Sequence, residues 1–408
     1  MSKLRVAVIF GGRSGEHEVS LSSARSVMNA LDPEKYEILP IGITRQGAWI
    51  AGDGTLQALT DEDYSTTQPA AMFADPSKKG LWSSPEAFVP VGRAEGNSSL
   101  VAVESRSRAE DTARLETLSR VDVVFPVLHG TFGEDGTVQG LLELSGVPYV
   151  GGGVLCSALA MDKIVFKGVM KAQGIPVADY VWASRREWLS DRERVLDEVE
   201  RTLGYPVFTK PANLGSSVGI SKCRDRDELR SGLDEAARYD RRVMAEWAVP
   251  DAREIEVSVL GNEEPSASVP GEVIPSREFY DYAAKYLDEG ENASKLIIPA
   301  QLEPATQALI QDLAVRAFKA IDGAGMARVD FLLSRESAGD HALGVYLNEI
   351  NTIPGFTPIS MYPKLWEASG VPYSRLLDWL IDLALDRHQE NERSERIYYP
   401  RGQGLSGQ

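Results

Sequence analysis

The chain has 408 residues, with 43 Lys and Arg against 60 Asp and Glu, a formal net charge of −17. That balance excludes a general nucleic-acid or anionic-membrane binder, whose affinity comes from a net basic surface, so any anionic ligand must be held by a few local cations and backbone amides. The only cysteines, Cys156 and Cys223, exclude a disulfide framework and a cysteine zinc cluster and fit a reduced cytosol.

Strand and helix patterns alternate, which predicts an α/β architecture. Residues 4–10 read as a buried strand stopped by Gly11 and Gly12. A helix follows over 19–31, halted by Pro33, and a second strand over 37–43. The stretch 52–118 is rich in Ser, Thr, Asp, Pro and Gly, with weak periodicity. It reads as a surface excursion with a hairpin and mobile loop. A strand over 121–128, a glycine-rich loop over 129–136, a helix over 137–145 and a short strand over 147–150 close a first unit, residues 1–150. Gly151-Gly-Gly153 reads as a linker. The second unit, 151–247, is small and α+β. It has helices over 158–173, 186–203 and 226–239, and strands over 206–210, 219–223 and 242–247. The third unit, 248–408, has strands over 254–260, 266–274, 326–334 and 343–351, helices over 304–321 and 374–387, and a polar, frayed end. The N-terminal apolar run is too short for a signal peptide, and no run approaches the length of a membrane span. The expected location is cytoplasmic.

Several segments carry groups suited to chemistry. Asn213-Leu-Gly215-Ser216-Ser217-Val-Gly219 lies between two strands, just after Lys210-Pro211. Gly and Ser permit turns whose amides point at phosphate oxygens. Taken alone, a plain hairpin loop is the simpler account of the glycines. Lys210 tips the balance, because a lysine ending an apolar strand is an odd structural choice. Arg328 and Asp330 share one strand face, and Glu349 and Asn351 share a face of a later strand. Two carboxylates and an amide oxygen suit Mg²⁺, and Arg328 suits a transferring phosphoryl group. A buried Arg–carboxylate network fits the same spacing, and spacing alone leaves the two evenly matched. Asn351-Thr-Ile-Pro-Gly355 reads as a turn, with or without inward-facing amides. Glu16 stands at a strand–loop–helix junction, where open α/β sheets bind ligands. Taken alone, helix-start chemistry is the simpler account of an acidic residue there. The aromatic run 279–286 has the makings of a water-excluding lid or of a loop anchor. His129, Lys163, Glu246 and Trp247 are weaker single candidates.

Taken together, GGRSGEHEVS (11–20), PVLHGTFGEDGTVQG (126–140), MDK (161–163), KPANLGSSVG (210–219), FYDYAAKY (279–286), ARVDF (327–331) and NEINTIPGFTPIS (348–360) resemble the D-alanine–D-alanine ligases of the ATP-grasp superfamily. They stand in that family's order over nearly the whole chain except about 52–118. The resemblance implies three domains: an N-terminal Rossmann-like parallel sheet, and two α+β domains that sandwich ATP. It implies ATP-dependent ligation of two D-alanines through a D-alanyl phosphate, for peptidoglycan precursor synthesis.

Residue by residue, the resemblance assigns Glu16 to the first D-alanine's ammonium and His129 to its carboxylate. Lys163, Lys210, the Gly215–Gly219 loop with Ser217, and Lys285 go to ATP phosphates. Glu246 and Trp247 go to adenine, and Glu254 to ribose. Asp330, Glu349 and Asn351 are assigned two Mg²⁺ ions, with Mn²⁺ as a substitute. Arg328 and the Gly355 amide are assigned the reacting carbonyl, and Ser360 the second substrate's carboxylate. Ser216 links Glu16 to Tyr286. The family also implies a homodimer through the first unit. The rival products within the family are D-Ala-D-lactate and D-Ala-D-serine, and Tyr286 favours the dipeptide.

Overall fold

The computed structural model describes residues 3–72, 74, 76, 81–83, 116–275, 294–334, 344–357 and 359–395. Its first sheet is built on Leu4–Gly11, whose last six residues are buried. A strand flanked on both sides reads as a continuous apolar run. Leu4–Gly11 pairs in parallel with Tyr36–Ile43 and with Val123–Val127. The expected parallel sheet also carries antiparallel strands at one edge. Trp49–Ala51 adds antiparallel to Tyr36–Ile43, and Gln68–Pro69 adds antiparallel to Trp49–Ala51. Trp49–Ala51 lies just before the stretch read as an excursion, and Gln68–Pro69 and the helix Thr55–Asp61 lie within it. Three short strands, Ala71–Met72, Leu81–Ser83 and Glu116–Ser119, form a small separate sheet there. The predicted strand at 147–150 reduces to a single parallel bridge between Val124 and Tyr149.

The second sheet is antiparallel throughout, in the order Ser221–Cys223, Val207–Pro211, Arg242–Trp247, Tyr180–Ser184. Its last strand escapes the sequence pattern. Two predicted helices are each split by an aspartate. Asp162 separates Val154–Met161 from Lys163–Ala172 and accepts the Val165 N–H at 3.1 Å. Asp191 separates Arg185–Ser190 from Arg192–Leu203 and accepts the Arg194 N–H at 3.2 Å. A short acceptor side chain satisfies the bare amides of a new helix start. The Asp162 break sets Lys163 at the first helical position.

The third sheet runs Lys295–Ile297, Gly271–Ile274, Arg253–Gly261, Gly325–Leu333, Val345–Asn351, with Ser266–Ala267 on the side. Pro270 falls between the two pieces of the strand predicted over 266–274. Pro304–Ala320 covers one face of this sheet, and Met361–Ala368 and Tyr373–Glu392 the other.

Packing does not follow the predicted boundaries. One core joins Val8, Phe10 and Phe125 of the first sheet to Phe356, Tyr362, Trp366, Leu377 and Leu380. A second joins Phe166, Met170 and Ile175 to Ile255, Val257 and Val329 of the third sheet. The first sheet also keeps a core of its own, with Ile9, Ile41 and Leu142, and so does the antiparallel second sheet, with Leu196, Leu229 and Leu233. The two cysteines are free and buried, as small hydrophobes. Among the described residues no helix is long and apolar enough to cross a membrane.

Candidate active site

The site begins where the first strand ends. Gly11 has φ +89°, and a Cβ there would meet the Ile43 carbonyl oxygen at 2.3 Å, so only glycine lets the chain turn out of the sheet. The turn delivers Glu16 to the start of the helix His17–Ala30. The Ser216 hydroxyl donates to Glu16 Oε1, although the two residues lie in loops that leave different sheets. Two glycines make room for this carboxylate. A Cβ on Gly130 would stand 2.4 Å from Glu16 Oε2, and one on Gly215 3.3 Å from it. Ser216 and Ser217 hold left-handed φ values of 53° and 58°. Such backbone strain in non-glycine residues gathers at functional sites.

His129 has both ring nitrogens engaged. Nδ1 lies 2.9 Å from the Ile353 carbonyl and Nε2 3.1 Å from Ser23 Oγ. Ser23 Oγ also accepts the Phe356 N–H at 3.2 Å. Burial pushes the imidazole below its ordinary range. A neutral ring then donates from Nδ1 to the carbonyl and accepts at Nε2 from the serine. The sequence offered His129 to a substrate carboxylate. The structure engages both of its ring nitrogens where the end of the first sheet meets the 352–356 turn.

Across the third sheet, register sets acidic groups in a row. Glu256 stands opposite Asp330, and Asp330 opposite Glu349. Arg328 stands opposite Asn351. Directly opposed residues face the same side. Glu254 shares that face by strand alternation. Arg328 reaches both Asp330 oxygens, at 2.8 and 2.7 Å, and Glu256 at 3.0 Å. Asn351 Nδ2 donates to Asp330 Oδ2 at 3.0 Å. The two readings left open by the spacing therefore share the same residues. The hard oxygen donors fit a cation such as Mg²⁺. As they stand, the described side chains form no cluster of three or more His, Cys, Asp or Glu ready to hold a metal, and Arg328 would have to share Asp330.

Lys163 Nζ donates to the Leu214 carbonyl at 2.7 Å, beneath the Gly–Ser loop. Lys210 Nζ donates to Glu246 Oε2 at 2.5 Å. Lys167 pairs with the other oxygen, Oε1. Burial alone would raise the Glu246 carboxyl, but Lys167 and Lys210 overcome it and hold it down at about 2. The Trp247 ring meets Tyr346 edge-on, with centroids 5.8 Å apart. Ser360 precedes the helix Met361–Ala368, and its Oγ accepts the Thr357 N–H at 3.0 Å. A Cβ on Gly355 would meet that Oγ at 2.8 Å. Lys285 and Tyr286 lie outside the described residues.

Models of the D-Ala-D-Ala ligase N-terminus and C-terminus match residues 5–152 and 169–382. The chain belongs to the D-alanine–D-alanine ligase family. It is 49% identical to a D-alanine–D-alanine ligase of Natranaerobius thermophilus, over 97% of this chain and 98% of that one. It is 49% identical to another from Heliobacterium modesticaldum, over 98% and 100%. Among solved structures it is similar to the D-alanine–D-alanine ligase of Coxiella burnetii, with 37% identity, a TM-score of 0.75 and coverage of 96% and 97%. It is also similar to the VanG D-Ala:D-Ser ligase of Enterococcus faecalis, with 34% identity, a TM-score of 0.76 and coverage of 94% and 100%. The fold is that of these ATP-grasp ligases.

Within this ligase frame, sequence reasoning missed Glu134. Its Oε2 accepts the Gly130 N–H and its Oε1 the Ile353 N–H, both at 2.9 Å. It therefore clasps the loop beside Glu16 to the turn after Asn351. Its only sequence signal is an acidic residue inside a glycine-rich loop. Burial, then the nearby Glu16 charge, raises the carboxyl to about 8, against the weaker pull of the two amides and Arg328. Between the ordinary value of about 4.3 and 8, the folded chain keeps a proton that the unfolded chain has lost. Stability from this group is therefore present at pH 4 and declines as pH rises toward 8. His129, which burial keeps neutral, tilts stability the opposite way below its ordinary range, so a comparison of variants isolates Glu134. In thermal melts of wild type and Glu134→Gln at pH 5, 6, 7 and 8, the advantage of wild type should shrink steadily with pH. A constant difference would mean that Glu134 does not hold its proton.

Proposed function

We propose that the chain joins two D-alanines into D-alanyl-D-alanine, with ATP converted to ADP and phosphate, for peptidoglycan precursor synthesis. The observation that carries this reading is the Glu16 carboxylate, cradled by Gly130 and Gly215 and held by Ser216, beside a sheet face bearing Arg328, Asp330 and Glu349. A single carboxylate fixed in a small glycine-walled cradle suits the ammonium of a small amino acid. A free carboxylate is a poor acyl donor at neutral pH. Transfer of the γ-phosphoryl to it makes an acyl phosphate, and the amine of the second D-alanine displaces phosphate from that.

In this reading Lys163 and Lys210 hold ATP phosphates beneath the Gly215–Gly219 loop, with Ser217 contributing to that loop. Glu246 and Trp247 border adenine, and Glu254 faces ribose. Arg328 and the Gly355 amide steady the reacting carbonyl. Ser360, at a helix start, takes the second carboxylate. His129 and Glu134 fix the loop and turn between which the first substrate sits. Lys285 and Tyr286 belong to the lid that excludes water from the acyl phosphate. Asp330, Glu349 and Asn351 would hold two Mg²⁺ ions, whose charge offsets that of the triphosphate. We assign the three units 1–150, 151–247 and 248–408, a homodimer through the first, and a cytoplasmic location.

The test is phosphate release from ATP with D-alanine, with L-alanine, and with D-alanine plus D-lactate or D-serine, followed by product analysis. D-alanine alone should drive turnover and give the dipeptide, and L-alanine should not. D-Ala-D-Ala should dominate the mixed reactions. A main product of D-Ala-D-serine or D-Ala-D-lactate would overturn the specificity. Absence of phosphate release with D-alanine would overturn the activity.

A further inference from the structure

Lys167 is the most fully enclosed ammonium near the site, and none of the chemistry above uses it. Its side chain is 1% exposed, against 12% for Lys210. It lies one turn beyond Lys163 on the helix Lys163–Ala172. Its Nζ pairs with Glu246 Oε1 and lies 3.5 Å from the Asn348 carbonyl, on the strand that carries Glu349 and Asn351. Lys210 takes the other Glu246 oxygen. One buried carboxylate thus stands between two ammonium groups that come from different elements.

A buried lysine is an expensive way to fill space, because an apolar side chain of similar volume packs there without desolvating a charge. Its effect is electrostatic. With Lys167 absent, Glu246 and Lys210 would form a closed pair of no net charge. Lys210 would then have little left for an anion. With Lys167 present, the trio carries an excess of positive charge. Lys210 is the member that reaches the surface, so the excess is presented there. Glu349 also lies within the field of Lys167, but on the neighbouring strand rather than in the trio.

We propose that Lys167 is a positioning residue for ATP: by neutralising Glu246 it leaves the charge of Lys210 available to the phosphates. This rests on the reading of Lys210 as a phosphate ligand. Lys167 touches no substrate. It acts through Glu246, and its role differs from mere packing in one measurable way, because removing Glu246's charge at the same time should undo its loss.

The experiment compares full-length Lys210→Ala, Lys167→Met, Lys167→Gln, Glu246→Gln and the double variant Lys167→Met with Glu246→Gln. The readouts are KM for ATP, KM for D-alanine, and calorimetric affinity for a non-hydrolysable ATP analogue. Lys167→Met should raise the ATP KM about tenfold and leave the D-alanine KM within about twofold. Lys167→Gln keeps hydrogen-bonding reach and guards against a misfolded Met variant. It should show the same split. The double variant has the trio's original charge balance and keeps the side-chain shape at 246. Measured against the Glu246→Gln single variant, it should show an ATP KM within about threefold, because no charge at 246 is left for Lys167 to neutralise. Unchanged ATP KM in a folded Lys167→Met or Lys167→Gln would overturn the proposal, as would a tenfold loss from Lys167→Met that persists in the Glu246→Gln background. If Lys210→Ala itself leaves ATP affinity unchanged, the phosphate reading of Lys210 fails, and the proposal with it. If Lys210→Ala weakens ATP while the Lys167 variants do not, only the proposal fails.

Discussion

Glu349→Gln should reduce turnover by about a thousandfold while the fold stays nearly intact. The substitution keeps the shape of the side chain and removes one charge. Glu349 stands opposite Asp330 at the edge of the carboxylate row, half-buried rather than enclosed. Loss of its charge relieves repulsion within that row, so the melting temperature should move little. Cation stabilisation of a transferring phosphoryl group is worth several kcal/mol. At about 1.4 kcal/mol per tenfold, that corresponds to roughly three decades in rate. The measurement is kcat over a Mg²⁺ titration, with circular dichroism melts as the control for folding. The variant should need more Mg²⁺ and still fall short at saturation. Near-normal turnover at ordinary Mg²⁺ would return Asp330, Glu349 and Asn351 to a structural role, as partners of Arg328.

That alternative was open because period-two spacing places Arg328 and Asp330 on one face whatever they do there. The row of Glu256, Asp330 and Glu349 became visible only once the strand register was known, and register is a tertiary fact. The buried strands were legible for a simpler reason. A strand covered on both faces must be apolar along its length, as 6–10 and 123–127 are. The edge strand Tyr180–Ser184 was not, since it has only five residues and its last one already caps the next helix. The aspartates at 162 and 191 were legible in principle as caps, but a helical period running through both positions hid them.

The site shows the same division. Motifs found Glu16, Lys210 and Ser216 because loops of glycine and serine are conspicuous. Lys167 and Glu134 were missed because a lone lysine on a helix and a lone glutamate in a loop read as solvated surface. Only contacts between residues far apart in sequence reveal that both are enclosed. The unit boundaries were misleading about packing for a related reason. Gly151-Gly-Gly153 marks a turn in the chain, yet the Arg387 guanidinium lies over the Tyr149 ring and reaches the Gly151 and Tyr149 carbonyls. The last long helix thereby fastens the linker to the first sheet. The first and third sheets share a core, while the second sheet packs around a separate one.

Glu16→Gln should then separate the first amino-acid site from the nucleotide site. The amide oxygen can still accept from Ser216, so the link between the Gly–Ser loop and the first sheet survives. The charge facing an ammonium does not. A hydrogen bond to a charged partner is worth about 1.5–3 kcal/mol, or roughly ten- to a hundredfold in the KM of the first D-alanine. The ATP KM should stay within about twofold, because Lys163 and Lys210 are untouched. The glycine walls sharpen the expectation. With Gly130 and Gly215 so close to the carboxylate, the amide has little room to swing toward another partner. Glu134 provides a second readout that does not depend on turnover. Part of what raises its carboxyl is the Glu16 charge. Glu16→Gln should therefore let Glu134 ionise at lower pH, and the pH-dependent loss of stability attributed to it should move to lower pH. The two measurements are steady-state kinetics in both substrates and melts across pH 5 to 8. An unchanged KM for the first D-alanine would show that Glu16 does not hold the ammonium, and melts that titrate as wild type would show that its carboxylate carries no charge toward Glu134.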